Sequence, residues 1–541
     1  MDRRVAGRDG QLIRPLLPGF AVLGAVGLLI AAALSGMIGA AGALDPGTVL
    51  GNPYYRGVIQ FTLWQAALST LLSVAFALPI ARALARRDDF PGRALLLRLF
   101  MLPIVMPTLV AILGIVAVYG RAGWLSEGIA AAGGNIRLNI YGLGGILVGH
   151  VFFNLPLAVR LLLPVWEGIP EEYWRLAGQL GMGSRDIRRV IEWPLVSRAI
   201  PGVAGVIFML CFTSFPVVLL LGGGPAATTM EVAIFLSVRF DFDLERAAVL
   251  ALLKIGICGV LVGSGFMLMP PLPRGQGMRR AVPRPDAGAR SARVTDCVWL
   301  VIGLLFVGLP ILAVLIHGFA GPVARVMGEG SLWRAAGVSV LLALGASFLS
   351  LVLGVCLSVT LRHLRFRRYA HRRAAMMEAG GSLMLVVPPL ALGTGLYVLL
   401  SPYLNVLAWA PVFVVLLNAC LCLPYVLRSL EEPMQRIMER HDRLARSLGI
   451  AGFNRLRLVE WPVLRRPLGR AAALSAALAI GDLGVIALFG TPETATLPLL
   501  LYQRLAAYQF AAASVMALVL LGLCLAMFVF LERAIGGHAR A

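Results

Sequence analysis

The sequence has 541 residues, of which 59% are hydrophobic and 14% are charged, and its mean hydropathy is +0.85. These values exceed the apolar share of a soluble domain and exclude an ordinary soluble protein. The formal net charge of +21 would favour a nucleic-acid partner in a soluble chain, but the placement of the arginines described below excludes that class.

Twelve apolar runs approach or exceed the length of about 20 residues that a helix needs to cross the hydrocarbon layer. They occupy residues 16–44, 57–81, 95–119, 140–165, 199–221, 247–272, 297–319, 335–361, 380–400, 408–427, 471–489 and 511–531. The tenth and eleventh are short or interrupted. The pattern predicts an all-α polytopic membrane protein with about twelve transmembrane helices.

Arginines are concentrated in alternate loops between these runs. The rich loops lie at residues 82–93, 175–198, 274–293, 362–373 and 428–470, and the intervening loops carry few. Because positive charge marks the cytoplasmic side of a membrane protein, this pattern predicts that both termini are cytoplasmic. The same charge favours contact with anionic membrane lipid.

His150 and Asn154 lie one helical turn apart in the fourth run. They either line a pathway or form hydrogen bonds with a neighbouring helix, and the second interpretation is favoured because polar side chains commonly bridge membrane helices. The seven cysteines fall in or beside apolar runs, with no histidine at metal-ligand spacing. They are interpreted as packing residues, and no metal site or cofactor is predicted.

One stretch occurs twice. Residues 175–194 read RLAGQLGMGSRDIRRVIEWP, and residues 443–462 read RLARSLGIAGFNRLRLVEWP. The offset, 443 minus 175, is 268 residues, about half of the chain, and it is maintained outside the stretch at Pro156/Pro424 and Gly222/Gly490. A fixed offset indicates a duplicated unit. We therefore predict two repeats, residues 1–272 and 297–541, joined by a flexible cytoplasmic linker of residues 273–296.

The duplicated stretch has the pattern of a short helix, a glycine and a second short helix. Trp174, Ala177 and Leu180 recur at helical spacing, Gly181 ends the first helix, and Trp193-Pro194 ends the second. Such an apolar stripe either docks a partner or covers the protein's own flank. Its duplication favours docking.

This pattern resembles the cytoplasmic coupling loop, or EAA loop, in permease subunits of bacterial ABC importers. The Glu-Ala-Ala positions hold Arg175-Leu176-Ala177 and Arg443-Leu444-Ala445, so the second alanine and the glycine are kept and the glutamate is lost. The resemblance implies type I importer permease domains of six helices each, with a first coupling segment at residues 166–198 and a second coupling segment at residues 434–466. The implied ATPase-coupling residues are Glu171, Trp174, Arg175, Ala177, Gly181, Pro194, Arg443, Ala445, Gly449 and Pro462.

Candidate pathway residues follow each coupling segment. They are Phe212, Ser214, Phe215 and Asp482. Asp482 is an isolated carboxylate in an apolar run and aligns with Ser214, and ionisable residues at such depth are functional candidates. It forms either a cation-favouring wall, a buried interhelical hydrogen bond or a helix-end position, and the last two are favoured.

The chain also resembles, over nearly its whole length, the permeases of bacterial thiamine/thiamine pyrophosphate importers. The resemblance is carried by Tyr119-Gly-Arg, His150-Val-Phe-Phe-Asn-Leu-Pro156, Glu192-Trp-Pro194, Leu221-Gly-Gly-Gly-Pro225 and Gly481-Asp482. It implies an inner-membrane permease that receives thiamine or its phosphates from a periplasmic binding protein and is driven by a separate cytoplasmic ATPase dimer. The permease itself is then not an enzyme. A related permease for ferric iron or another solute is the alternative, and an ion-coupled secondary transporter is a second one, although intramembrane carboxylates apart from Asp482 are missing.

Overall fold

The computed structural model describes residues 17–41, 47, 51–87, 89–134, 138–268, 284–366, 370–385, 387–450, 452–491 and 493–537. These residues form helices joined by turns, and no β-strand occurs among them. Helices suit a chain that crosses lipid, because their backbone hydrogen bonds are satisfied within one segment. The predicted all-α fold class is confirmed.

Twelve helices of at least 12 residues are present in the described part of the chain, and each overlaps one predicted run. They are Leu17–Ala41, Pro53–Arg86, Thr108–Tyr119, Leu143–Glu167, Trp193–Phe212, Leu244–Leu268, Arg290–Ala320, Gly330–Phe366, Pro389–Leu400, Ala410–Arg436, Trp461–Ile480 and Phe510–Gly536.

Ten helical stretches among the described residues are long and apolar enough to cross a membrane. The sixth and ninth predicted runs are not among the ten. Leu244–Leu268 covers the sixth run except for residues 269–272, which lie outside the described residues, and Pro389–Leu400 is a short apolar helix. A polytopic membrane protein is therefore confirmed, whereas the number of twelve spans is not.

Shorter helices connect the long ones. They are Arg93–Leu99, Leu102–Val105, Trp124–Ala131, Glu171–Gln179, Ser184–Asp186, Pro216–Leu221, Met230–Arg239, Val323–Met327, His371–Gly381, Asp442–Ser447, Gly452–Arg455, Gly484–Phe489 and Leu497–Ala506. Three 3₁₀ turns lie at Pro225–Ala227, Pro285–Ala287 and Leu383–Leu385, and three π-helical turns lie at Ile187–Glu192, Ile437–His441 and Leu456–Glu460.

The described residues divide into two compact units. Unit A lies within Gly51–Val232 and Ile257–Ala320, and it contains the first coupling segment. In unit A, the helix Pro53–Arg86 packs against Leu143–Glu167. Arg290–Ala320 packs against Thr108–Tyr119, where a Cβ on Gly114 would lie 2.2 Å from the Pro310 carbonyl oxygen. Only glycine permits this close approach of two helices.

Unit B lies within Met1–Leu50, Ala233–Gly256 and Gly321–Ala541, and it contains the second coupling segment. Its helix Gly330–Phe366 packs against Ala410–Arg436, and Leu17–Ala41 packs against Pro389–Leu400. At the last contact, a Cβ on Gly36 would lie 2.4 Å from the Gly395 carbonyl oxygen.

The units do not coincide with the repeats predicted at residues 1–272 and 297–541. Leu17–Ala41, from the first repeat, packs with helices of the second, and Arg290–Ala320 packs with helices of the first. Lipid is as apolar as the helices, so close packing rather than hydropathy selects a helix's neighbours. The repeat boundaries stay a prediction about duplication of the sequence.

The predicted flexible linker, residues 273–296, needs a correction in its second part. Residues 273–283 lie outside the described residues. The following residues are ordered, since Pro285–Ala287 forms a 3₁₀ turn, a helix begins at Arg290, and the Asp286 side chain is buried. Ion pairs described below hold this part in place, and a composition rich in proline, glycine and arginine does not reveal them.

Candidate functional site

A glycine ends the first helix of each coupling segment. Gly181 has φ +61° and Gly449 has φ +65°, in the left-handed region that favours glycine at the end of a helix. Met182 and Ile450 donate backbone hydrogen bonds of 2.9 and 2.8 Å to the carbonyl oxygens of Ala177 and Ala445. The predicted helix stop at Gly181 is confirmed and recurs in the second copy.

Both coupling segments continue into a long helix through a π-helical turn. Ile187–Glu192 leads into Trp193–Phe212, and Leu456–Glu460 leads into Trp461–Ile480. Pro194 and Pro462 lie directly after these π-helical turns, inside helical spans that run through Ser184–Phe212 and Leu456–Phe489. A proline inside a helix removes one intrahelical hydrogen bond, but here it does not end the helix. The prediction that Trp193-Pro194 ends the second short helix is therefore wrong.

The predicted apolar stripe points partly inward. Trp174 and Ala177 are buried, as is Ala445 in the second copy, so these side chains cover the protein's own flank in this structure, and their role in coupling stays a prediction. Their burial comes from parts of the chain that return to this helix, which helical spacing alone does not show.

Two leucines in each coupling segment are exposed instead. Leu176 and Leu180 are 53% and 66% exposed, and their counterparts Leu444 and Leu448 are 59% and 63% exposed. The two exposed leucines occupy equivalent positions in both copies, so the apolar surface that they form is duplicated. Sequence reasoning assigned Leu180 to the stripe and missed Leu176, although its duplication at Leu444 was a visible signal.

The charged residues and the two prolines assigned to ATPase coupling lie at the surface. Arg175 forms an ion pair of 3.2 Å with Glu171, one helical turn earlier. Arg443, Pro194 and Pro462 are exposed. The structure therefore leaves these side chains accessible, while their role in coupling stays a prediction.

A buried carboxylate anchors the first coupling segment. Glu192 accepts hydrogen bonds from Arg82 Nε at 2.6 Å and from Arg284 Nη2 at 2.5 Å. Asp286 lies 3.3 Å from Arg86 and 3.1 Å from Arg284 Nε. Burial opposes the charge on Asp286 and Arg284, but the neighbouring opposite charges prevail, so the pKa of Asp286 is lowered and the pKa of Arg284 is raised.

The second coupling segment has the equivalent anchor. Glu460 accepts hydrogen bonds from Arg362 at 2.9 Å and from Arg455 at 3.0 Å, and Arg455 also pairs with Asp442 at 2.8 Å. Burial opposes the charge on Arg455, but these carboxylates raise its pKa. In each copy, a buried glutamate thus joins the coupling segment to an arginine at the end of a long helix. Sequence reasoning saw both glutamates in the repeat but gave them no role.

His150 and Asn154 bridge helices, as favoured from the sequence. His150 Nδ1 lies 3.0 Å from Ser69 Oγ, and Asn154 Nδ2 donates to Cys211 Sγ at 3.3 Å. The interpretation as interhelical hydrogen bonds is confirmed.

In each repeat, the candidate pathway residues lie at or beside a break between two helices. Trp193–Phe212 and Pro216–Leu221 are separated by residues 213–215, and Trp461–Ile480 and Gly484–Phe489 are separated by residues 481–483. Phe212 and Phe215 are buried, and Ser214 is partly exposed. Phe212 stacks on Phe208 with ring centroids 6.0 Å apart.

Asp482 is a helix-end residue. Its carboxylate accepts hydrogen bonds from the backbone N–H groups of Gly484 and Val485, both at 3.1 Å. These groups begin the helix Gly484–Phe489 and would otherwise lack partners. The favoured helix-end interpretation is confirmed, and a pathway-lining role for the four candidates stays a prediction.

Comparisons with known proteins cover nearly the whole chain. No family model matches it. It is 42% identical over 532 residues to the thiamine transport system permease protein ThiP of Escherichia coli (strain K12), which covers 97% of this chain and 99% of that protein. It is 43% identical over 492 residues to the protein of that name in Brucella abortus (strain 2308), covering 91% and 90%. The sulfate transport system permease protein CysW of Synechocystis sp. is 29% identical over 219 residues, covering 38% of this chain and 75% of that protein.

Proposed function

We propose, because this chain belongs to the family of thiamine transport system permease proteins, that it forms the membrane pathway through which an ABC importer moves thiamine or its phosphates. A periplasmic binding protein delivers the solute, and a separate cytoplasmic ATPase supplies the energy. The observation that carries this proposal is the identity of 36–43% over 91–97% of the chain to permeases of that name from several bacteria.

The duplicated coupling segments support the ATPase partner. Each presents two exposed leucines at the end of a short helix: Leu176 and Leu444 lie within the helices, and Leu180 and Leu448 directly follow them. An exposed apolar helix face suits a groove on a partner. Two copies of the face match two copies of an ATPase, one for each coupling segment.

The ion pairs of Glu192 and Glu460 explain how movement of a docked ATPase is passed to the membrane helices. Glu192 fixes the first segment to Arg82 in Pro53–Arg86, and Glu460 fixes the second to Arg362 in Gly330–Phe366. Movement of either segment is therefore passed to a long helix. This is the mechanical part of the proposal: ATP-driven movement of the partner shifts both segments and alternates access to the pathway.

The arginine-rich loops support the orientation. Both coupling segments lie in such loops, so both face the cytoplasm with the termini. The matched interruptions at residues 213–215 and 481–483 lie at the other ends of the long helices that follow the segments. We place the solute pathway near them, with Phe212, Ser214, Phe215 and Asp482 as its candidate lining.

Uptake by the reconstituted complex tests this function. The permease, its ATPase and its periplasmic binding protein are incorporated into vesicles, and radiolabelled thiamine uptake is measured with ATP on the ATPase side. The expected result is ATP-dependent uptake that unlabelled thiamine and thiamine pyrophosphate suppress and that sulfate, ferric iron and spermidine do not. Uptake driven by an ion gradient without the ATPase would contradict the proposal, as would suppression by sulfate or iron alone.

A further inference from the structure

Residues 284–287, here called the linker arm, complete the anchor of the first coupling segment. Arg284 Nη2 lies 2.5 Å from Glu192 Oε1, and the Arg284 guanidinium carbon lies 4.3 Å from the centre of the Trp174 ring. A guanidinium over an indole face is held by a cation–π interaction. The arm therefore contacts both short helical elements of the segment.

The second coupling segment builds the same anchor from its own residues. Arg455 pairs with Glu460 and with Asp442. At the repeat offset, the positions of Asp442 and Arg455 hold Trp174 and Ile187 in the first segment, so the first segment lacks both partners. Arg284 supplies the missing positive charge, and Trp174 supplies a ring on which it stacks.

The linker arm is fixed at its other end too. Arg87 Nη1 donates a 2.7 Å hydrogen bond to the Ala287 carbonyl oxygen, and Arg87 Nε lies 3.0 Å from Asp296 Oδ2. Asp296 stands in the helix Arg290–Ala320, which is the next membrane helix along the chain. Arg86 also lies 3.3 Å from Asp286 and 3.5 Å from Asp296. A continuous set of ion pairs therefore runs from Glu192 through Arg284 and Asp286 to that helix.

We propose that Arg284 is a positioning residue that holds the first coupling segment in place and passes its movement to the helix Arg290–Ala320. This inference rests on the proposed transport function. It makes the two halves of the permease unequal: the first segment depends on the linker arm, whereas the second depends on Arg455 within itself. The linker arm between the repeats then takes part in coupling by positioning the first coupling segment.

Hydrogen–deuterium exchange on the full-length permease in detergent tests the positioning role without transport. Arg284→Ala is expected to increase amide exchange in Glu171–Gln179 by about tenfold, the effect of losing a charged hydrogen bond, and to leave Asp442–Ser447 unchanged. Arg455→Ala is expected to do the reverse. Arg290→Ala, which removes an exposed arginine near the arm, is the control and changes neither helix. Unchanged exchange in Glu171–Gln179 in Arg284→Ala would overturn the proposal.

Transport by the reconstituted complex tests the consequence. Arg284→Ala is expected to lower the amount of thiamine taken up per ATP hydrolysed by about fivefold or more, with Arg290→Ala at the wild-type ratio. Arg284→Lys keeps the charge but loses the planar stacking on Trp174, so its ratio lies between those of wild type and Arg284→Ala. A wild-type ratio in Arg284→Ala would overturn the coupling role. A wild-type complex without thiamine uptake would contradict the proposed function instead, and the exchange result would still decide the positioning role.

Discussion

Arg82 Nε and Glu192 Oε2 lie 2.6 Å apart, although the two residues are separated by 110 positions in the chain. The pair joins the C-terminal end of the helix Pro53–Arg86 to the last residue of the π-helical turn in the first coupling segment. The Glu192 carboxylate is almost completely buried, and a buried charge of this kind is stable only when it is paired. The equivalent pair of Arg362 and Glu460 shows that both repeats stabilise a buried glutamate with an arginine from a long helix.

Neutralising either buried glutamate should destabilise the permease. Glu192→Gln leaves Arg82 and Arg284 without their shared carboxylate, and Glu460→Gln does the same to Arg362 and Arg455. Each is expected to lower the free energy of unfolding by about 2 kcal/mol or more. Thermal unfolding of the detergent-solubilised protein measures the loss.

Glu171→Gln is the matched control for these variants. It removes a carboxylate from the same segment, but its pair with Arg175 involves a largely exposed arginine. Exposed pairs contribute at most about 1 kcal/mol. If Glu192→Gln and Glu171→Gln unfolded at the same temperature, the anchoring role of Glu192 would be wrong.

Gly181 and Gly449 allow a test of the helix stop in each copy. A Cβ at either position would meet no heavy atom within 4 Å, so substitution by alanine costs only the strain of a positive φ, about 1 kcal/mol. The double variant is expected to insert normally and to hydrolyse ATP with its partner, but to take up less thiamine per ATP. Asparagine, which tolerates this conformation better, should restore part of the ratio.

Gly178→Ala is the control that separates the effect of backbone strain at Gly181 and Gly449 from the effect of an added methyl group. Gly178 lies within the helix Glu171–Gln179, and an added Cβ would meet only Pro285 Cβ, at 4.0 Å. Alanine favours a helix by up to about 1 kcal/mol over glycine, so uptake per ATP should stay at the wild-type value. An equal defect in Gly178→Ala would show that added volume, not the left-handed turn, causes the loss.

The exposed leucines are expected to bind the ATPase. Leu176→Ser with Leu180→Ser removes one apolar face, and Leu444→Ser with Leu448→Ser removes the other. Because these side chains are more than half exposed, their loss should leave the unfolding temperature within a few degrees, corresponding to about 0.5 kcal/mol, while co-purification of the ATPase falls. Glu172→Gln, a change to an exposed polar residue on the same helix, should retain the ATPase. Full retention in the leucine variants would place the docking surface elsewhere.

The sequence was sufficient for features that are local. Twelve apolar runs located twelve helices, and the repeat located both coupling segments with their glycines. The inward orientation of Trp174 could not be predicted, because the side chain that covers it, Arg284, comes from a stretch whose composition is typical of a flexible linker. The packing of Leu17–Ala41 against Pro389–Leu400 could not be predicted for a related reason. It depends on the close backbone approach at Gly36 and Gly395, and hydropathy does not measure such an approach.

The contact of Gly36 with Gly395 should tolerate no large side chain. Gly36→Leu would drive its Cβ to 2.4 Å from the Gly395 carbonyl oxygen, and overpacking of this kind costs about 1–3 kcal/mol. We expect a lower unfolding temperature and increased protease sensitivity of Leu17–Ala41. Gly39→Leu, one turn later in the same helix, is the control because a Cβ there meets nothing within 4 Å. Equal unfolding temperatures for the two variants would refute the proposed packing of this helix.

Asp482 distinguishes a helix cap from a charged pathway wall. The Gly484 N–H donates to Oδ1 of Asp482 and the Val485 N–H donates to Oδ2, so asparagine keeps one of the two acceptor oxygens and removes the negative charge. Asp482→Asn is therefore expected to keep thiamine uptake and most of the stability, while Asp482→Ala loses about 1 kcal/mol of stability with the whole cap. Thiamine carries a positive charge, so a wall that attracts it electrostatically would lose uptake in Asp482→Asn without losing stability. Uptake and unfolding measured on both variants decide between the two roles, because only the capping role predicts that the asparagine variant works and the alanine variant unfolds earlier.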